Sequence, residues 1–235
     1  MRVLAVGAHP DDLELLCGGT LARFAAAGDQ VVMCHVALGD CGSLVDTAEE
    51  IGRVRWAEAD AAAAVIGATH ETLGLSDAKV HSGNEGQQAL MIDVIRRAQP
   101  DLIITHAPND YMADHNEVSK LVFDCSYFAS VPLVLGSSGL SPSAVTPIYY
   151  MDTLAGAGFL PTHFVDITET FAKKREMLAA HASQVSWIGG HDETDMSDLM
   201  DVSARFRGHQ CGAAYAEAFI ECQVWGRAVT RRLLP

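Results

Sequence analysis

The sequence predicts an α/β fold built on a mostly parallel sheet with helices on both faces. Short apolar runs alternate along the chain with longer segments of helix-like composition, and this alternation is typical of βαβ units. The first apolar run, residues 3–7, ends in Gly7, as expected of a buried strand and its exit turn. With 235 residues, of which 49% are hydrophobic, the chain can bury a large core. We therefore expect residues 1–235 to form a single domain.

Each element is predicted from apolar periodicity and from the residues that bound it. Strands are expected at residues 3–7, 31–37, 71–75, 102–106, 147–151 and 163–167. Helices are expected at residues 19–27, 48–66, 87–98, 116–129 and 168–182. The last of these is predicted to be capped by Thr168, with Glu169 in its first turn. Composition predicts that residues 192–220 are mostly helical, and that the Ser-, Gly- and Pro-rich residues 136–147 form a loop.

Three polar residues follow the first strand at its carboxyl end. His9, Asp11 and Asp12 come directly after the apolar run, and ligands of open α/β sheets bind at the carboxyl ends of strands. Imidazole and carboxylate are both zinc ligands, and a second carboxylate can transfer protons. Two adjacent carboxylates are costly unless a cation lies between them. The alternative is that Asp11 and Asp12 cap the following helix.

A second set of polar residues follows the strand predicted at 102–106. The turn-forming residues 107–110 lead there to Asp114 and His115. Two histidines and one aspartate from two strand ends, with a position left open for water, are the arrangement that a catalytic zinc requires. His35 and His106 end apolar strands, and we expect them to be packed in the core or to lie behind the ligands.

Charge and composition exclude several classes of partner. The formal net charge of −14 argues against nucleic acid and anionic membranes, because both require basic patches. No apolar run is long enough to span a bilayer and no leader pattern is present, so a cytoplasmic protein is expected. The six cysteines are scattered and are expected to be reduced. Residues 18–20 are predicted to form a Gly-Gly-Thr turn. They lack a dinucleotide fingerprint, and this absence disfavours a nucleotide-binding domain. We expect this turn to serve packing.

Four segments together resemble the PIG-L / LmbE-like family of zinc-dependent de-N-acetylases. The family motif His-Pro-Asp-Asp, followed by Gly-Gly-Thr, is matched by residues 9–12 and 18–20. The second family motif ends in Asp-His, which is matched by Asp114 and His115. Arg-x-x-Glu is matched by residues 55–58, and His-x-Ser-Gln by residues 181–184. The resemblance extends over essentially the whole chain.

The resemblance implies a Rossmann-like α/β fold and metal-assisted hydrolysis of a small N-acylated substrate, such as an N-acyl amino sugar. It implies Zn²⁺ as cofactor, held by His9, Asp12 and His115, with Asp11 as the general base. Relatives are commonly trimers or hexamers, so a homo-oligomer is expected.

The remaining matched residues receive supporting roles from the resemblance. Asp114 would orient a histidine or the loop. Arg55 would bind sugar hydroxyls or a substrate phosphate. His181 either orients groups near the site or simply ends its helix.

One residue departs from the family pattern. Well-known members carry His-x-Asp-His in the second motif, and its first histidine helps to stabilise the oxyanion. Met112 stands at that position here, and a thioether cannot donate a hydrogen bond. Losing one oxyanion donor costs roughly 10²–10³ in rate, so His181, His191 and Tyr215 become candidate donors. Met112 itself is predicted to border the metal site and to give the substrate pocket apolar surface.

Two other functions stay open at this point. The first is an amidase for a different amide, such as a thiol conjugate or a natural-product intermediate. The second is a metal-binding family member with little turnover. Asp11 argues against the second, because binding alone needs no free base.

Overall fold

The computed structural model describes residues 1–185, 195–227 and 233–235. In these residues seven strands form one sheet. They are β1 (Arg2–Gly7), β2 (Gln30–Ala37), β3 (Thr69–Leu75), β4 (Leu102–Thr105), β5 (Ile148–Met151), β6 (His163–Asp166) and β7 (Ala216–Glu221). Their order across the sheet is β3-β2-β1-β4-β5-β7-β6.

The sheet is mostly parallel, as predicted. The strands β1 to β5 pair in parallel, whereas β7 runs antiparallel between β5 and β6. Strand β1 lies between β2 and β4, so the direction of the connections reverses at β1 and β4. Such a switch point opens a crevice at the carboxyl ends of the two strands.

Helices cover both faces of this sheet. They are α1 (Asp12–Ala26), α2 (Ala48–Ala64), α3 (Glu85–Ala98), α4 (Ala113–Phe128), α5 (Phe171–Ala179) and α6 (Met196–Cys211). One buried apolar cluster joins the sheet to α1, α2, α5 and α6, and a second joins it to α3 and α4. The predicted α/β class with two covered faces is thus confirmed. None of the described helices combines the length and hydropathy needed to cross a membrane.

The first helix begins earlier than predicted. It begins at Asp12, so residues 18–20 lie inside α1 and form no turn. The turn was expected from the family motif, and each glycine does weaken a helix by up to about 1 kcal/mol. The structure shows why Gly19 is there: a Cβ atom would lie 2.7 Å from Cδ1 of Ile167. The packing role predicted for this segment is therefore confirmed, but its conformation is helical.

The C-terminal part differs more from the prediction. Within the segment 192–220, α6 is helical but residues 216–220 belong to strand β7, so the helical prediction is wrong there. Residues 192–194 lie outside the described part. The Ala- and Glu-rich composition favours a helix, but β7 pairs with strands on both sides, and this tertiary pairing overrides local propensity. Helix α5 also begins three residues later than predicted, because Thr168 hydrogen-bonds Asp166 instead of capping it.

Candidate active site

The polar residues predicted to meet do so at the switch point. Residues 8–12 leave the carboxyl end of β1, and residues 106–115 leave the carboxyl end of β4 beside it. Helix α1 begins at Asp12 and α4 at Ala113, so Asp12, Asp114 and His115 lie in first helical turns. The partial positive charge at a helix N-terminus stabilises carboxylates in the first turn.

Three of these side chains form a cluster of metal-ligand geometry. The ligand atoms of His9, Asp12 and His115 lie within 4.8 Å of one another. Oδ1 of Asp12 is 3.2 Å from Nε2 of His115, and Oδ2 is 3.6 Å from Nδ1 of His9. Two imidazole nitrogens and one carboxylate oxygen fit Zn²⁺ with a fourth position open.

Electrostatics keep the central carboxylate ionised. Burial would raise the pKa of Asp12, but the charges and hydrogen bonds of His115 and His106 hold that pKa well below its usual range. His106 was expected to be packed or to lie behind the ligands, and it does so. Its Nε2 atom is 3.2 Å from Oδ2 of Asp12, and its ring stacks on His115 at 3.9 Å.

Each histidine of the cluster also has a carboxylate oxygen close to its other nitrogen. Nε2 of His9 lies 3.1 Å from Oδ2 of Asp114, which also accepts the backbone N–H of Ala78. Nδ1 of His115 lies 3.1 Å from Oδ1 of Asp110. Such carboxylate–histidine pairs fix the ring orientation of metal-binding histidines. Asp114 thus contacts a histidine as expected, whereas Asp110 was missed.

These carboxylates also change the protonation of the histidines. Burial would lower the pKa of His9, but hydrogen bonds to Asp114 and Asp12 raise it to about 10. Burial would also lower the pKa of His115, but the negative charges of Asp12 and Asp110 raise it to about 9. These raised pKa values favour the cationic form of both rings without metal, and a metal would displace one proton from each ring on binding.

Asp11 stands next to this cluster but belongs to a different set of contacts. Its backbone has φ of 113°, a region that non-glycine residues rarely adopt, and its side chain does not cap α1. The interpretation of Asp11 as a capping side chain is therefore wrong. Oδ2 of Asp11 instead lies 3.1 Å from Nη2 of Arg55. Burial raises the pKa of Asp11, and the charge of Arg55 opposes that rise.

Arg55 is buried beneath Asp11. It is 4% exposed, and its guanidinium also donates to the backbone carbonyls of Pro10 and Gly39. Its partner in the matched motif, Glu58, accepts hydrogen bonds from the backbone and hydroxyl of Ser183. The two matched segments 55–58 and 181–184 thus contact each other.

His181 lies behind the site and does not line its cavity. Its Nε2 atom is 3.1 Å from Oε1 of the fully buried Glu14, whose Oε2 faces Nε2 of His35 at 3.5 Å. Burial would lower the pKa of His181, but the charge of Glu14 raises it. The charge of His181 in turn lowers the pKa of Asp11. His181 also directly follows the end of helix α5, so both alternatives stated for it stay open.

A cavity of about 480 Å³ opens over the cluster. The polar residues that line it include His9, Asp11, Asp12, Cys41, Arg55, Asp77, Tyr111, Asp114, His115 and Gln184. The apolar residues that line it include Leu15, Leu16, Met112, Leu154, Met196 and Leu199. Met112 thus borders the cavity, as predicted. Tyr215 instead stacks on Phe171 and does not line it, and His191 lies outside the described residues.

Comparison with known proteins places this geometry in a family. Residues 4–126 match the family "PIG-L: GlcNAc-PI de-N-acetylase". The chain belongs to this family. A relative from Actinosynnema mirum, named 1D-myo-inositol 2-acetamido-2-deoxy-alpha-D-glucopyranoside deacetylase, is 29% identical over 238 residues, covering 80% of this chain and 83% of the relative. A relative of the same name from Rhodococcus jostii is 26% identical, over 79% and 82% of the two chains.

Solved structures share the fold of this family member. N,N'-diacetylchitobiose deacetylase from Pyrococcus horikoshii superposes with a TM-score of 0.81 at 23% identity, over 93% of this chain and 82% of that one. GalB, the 4-carboxy-2-hydroxymuconate hydratase from Pseudomonas putida, superposes with a TM-score of 0.82 at 23% identity, over 99% and 100%. At these identities the structures establish the fold alone, which carries more than one chemistry. The family and its curated relatives confirm the expected reaction class, hydrolytic deacetylation.

Proposed function

We propose that this de-N-acetylase family member is a Zn²⁺-dependent hydrolase that removes an acetyl or other acyl group from an N-acyl amino sugar. The observation that carries the proposal is a second carboxylate, Asp11, beside the cluster of His9, Asp12 and His115 in one cavity. The names of the curated relatives support an acetamido sugar as the substrate class.

The cluster fits the proposed metal by its donor set. His9, Asp12 and His115 would hold Zn²⁺ and leave a position open. Bound there, the ion would polarise the acyl carbonyl and make water a stronger acid. Asp114 and Asp110 would keep the two imidazole rings in the ligating orientation.

Asp11 would carry the proton transfer. Its carboxylate would accept a proton from water while the water oxygen bonds to the acyl carbon. The C–N bond then breaks, and the same proton passes to the leaving nitrogen, so that the products are a carboxylic acid and an amine. Asp12 would not share this task, because its oxygen serves the metal.

Arg55 would position the base. Its guanidinium holds the Asp11 carboxylate from below, and two backbone carbonyls fix the guanidinium. The substrate-binding roles of Arg55 and Met112 remain part of the proposal, since both residues line the cavity. A cytoplasmic location and a homo-oligomer also remain predictions.

Metal removal tests the proposed function. The protein would be stripped with a chelator, reloaded with Zn²⁺, and assayed for amine release from a panel of N-acetyl amino sugars and thiol-conjugate amides. We expect release from at least one amino sugar, lost on stripping and restored on reloading. Release from the thiol conjugates alone would mean that the substrate is a different amide and not an amino sugar. Equal release by stripped and reloaded protein would contradict the metal-dependent mechanism.

A further inference from the structure

We propose that the cavity contains an apolar subsite for an acyl chain longer than acetyl. The inference rests on the proposed function, because it assigns the acyl half of the substrate. The subsite is a wall formed by five side chains from three parts of the fold: Leu15, Leu16, Leu154, Met196 and Leu199. We call these residues the leucine wall.

The leucine wall lies close to the reacting centre. Leu15 and Leu16 follow Asp12 by three and four residues in α1, so all three lie on one face of the helix. A separation of three to four residues corresponds to about 5 Å along a helix. An alkyl chain attached directly to the reacting carbonyl would reach this distance within a few bonds.

The rest of the wall comes from two later segments of the chain. Leu154 follows β5, and Met196 and Leu199 lie in the first turn of α6. Leu15, Leu154 and Leu199 are only partly buried, although Leu16 and Met196 are buried. Three partly buried leucines thus face the same cavity, where they leave apolar surface for a ligand to cover.

Other residues that line the cavity have different chemistry. Asp77, Tyr111 and Gln184 line it with polar groups, as a sugar would require. With the amino sugar against these polar groups, the leucine wall is left for the acyl group. A bare acetyl group would present only one methyl to five apolar side chains, and each further buried methylene is worth about 0.8 kcal/mol, or about fourfold in the specificity constant.

A series of acyl chain lengths tests the subsite. The Zn²⁺-loaded protein would be assayed with N-acetyl-, N-butanoyl- and N-hexanoylglucosamine, and with methyl and hexyl glycosides of N-acetylglucosamine. We expect kcat/KM to rise at least tenfold from acetyl to butanoyl. A rate that is flat or falls along the acyl series would overturn the inference. A rise along the glycoside series alone would assign the wall to the aglycone and would also overturn it.

Variants locate the effect on the wall. Leu199→Gln places an amide in the wall at a partly exposed position, and we expect it to reduce the hexanoyl-to-acetyl ratio of kcat/KM at least fivefold. Leu133→Gln makes the same change at a side chain that is 92% exposed and outside the cavity, and it should keep the wild-type ratio. An unchanged ratio in Leu199→Gln, with melting temperature retained, would contradict the proposal. Leu15→Gln gives a second, independent position if Leu199→Gln fails to fold.

A binding measurement separates this inference from the proposed function. Acetate and hexanoate are the acid products of the two acyl substrates, and their affinities for the Zn²⁺-loaded protein can be compared by calorimetry without turnover. Hexanoate should bind at least tenfold more tightly than acetate. Tighter hexanoate binding without amine release would contradict the proposed hydrolysis and support the subsite. Amine release together with equal binding of the two acids would support the proposed hydrolysis and overturn the subsite.

Discussion

At the scale of single residues, two adjacent aspartates have opposite environments. Asp12 faces His9, His106 and His115, and the interactions with His115 and His106 hold its pKa well below the usual range. Asp11 is buried against Arg55 with a raised pKa. The positive φ of Asp11 turns the chain so that the two side chains enter different contacts. This strained backbone lies at Asp11, the residue that we propose as the base. Strained backbone is concentrated at active sites in general.

Arg55 provides a test of how that base is positioned. We predict that Arg55→Met lowers kcat by about 10- to 10²-fold, less than the 10²–10⁴ expected for loss of the base itself. The charge of Arg55 lowers the pKa of Asp11, so its removal raises that pKa. Because activity requires the ionised carboxylate, the acid limb of the pH–rate profile moves to higher pH.

The controls for Arg55 are metal content and a conservative variant. Zinc content should stay at the wild-type value, since Arg55 contacts no proposed ligand side chain. Arg55→Lys keeps the positive charge but lacks the planar guanidinium group. Compared with Arg55→Met, it should return the acid limb to the wild-type pH more completely than it restores kcat. An acid limb that does not move in Arg55→Met would contradict the contact with Asp11.

Met112 is the second residue whose role can be tested. It borders the cavity three residues before His115. We predict that Met112→His raises activity on simple N-acetyl sugars by supplying an oxyanion donor, with metal content unchanged. Amine release and zinc content measure this. A sharp fall in melting temperature with no gain on any sugar would mean that Met112 serves packing instead.

At the scale of elements, close packing of α1 explains one glycine of a pair. A Cβ on Gly19 would lie 2.7 Å from Ile167, whereas the nearest atom to a Cβ on Gly18 would be 3.5 Å away. We predict that Gly19→Ala destabilises the fold by about 1–3 kcal/mol through overpacking. Gly18→Ala is the matched control, because both changes share the gain in helix propensity. Equal unfolding free energies for the two variants, from denaturant titration, would contradict the packing role.

The elements also show what local sequence could and could not predict. The order of strands and helices up to residue 182 follows from apolar runs and their boundaries, and the His9–Asp12 motif is local enough to find from its strand. The pairing of Asp110 with His115, and of Glu14 with His181, depends on how separate helices and loops pack. Strand β7 was missed for the same reason, since its partners β5 and β6 lie more than 45 residues away in sequence.

At the scale of the whole molecule, assembly stays a prediction. Some large apolar side chains are strongly exposed, among them Leu133, Leu135 and Trp225, and exposed apolar surface is typical of interfaces when it is contiguous. We predict a homo-oligomer, a trimer or a hexamer. Light scattering at micromolar concentration should give three or six times 25.1 kDa. A clean mass of 25.1 kDa would rule the oligomer out.

The division of labour between Asp11 and the metal ligands is the central claim, and Asp11→Asn tests it most directly. Asparagine has nearly the same shape, tolerates the positive φ, and cannot accept the proton. The measurement is amine release from an N-acyl amino sugar, by wild-type and Asp11→Asn protein brought to equal zinc content. We predict that the variant keeps its zinc and loses about 10²–10⁴ in kcat. A variant that turns over at the wild-type rate with the same zinc content would show that Asp11 is not the base.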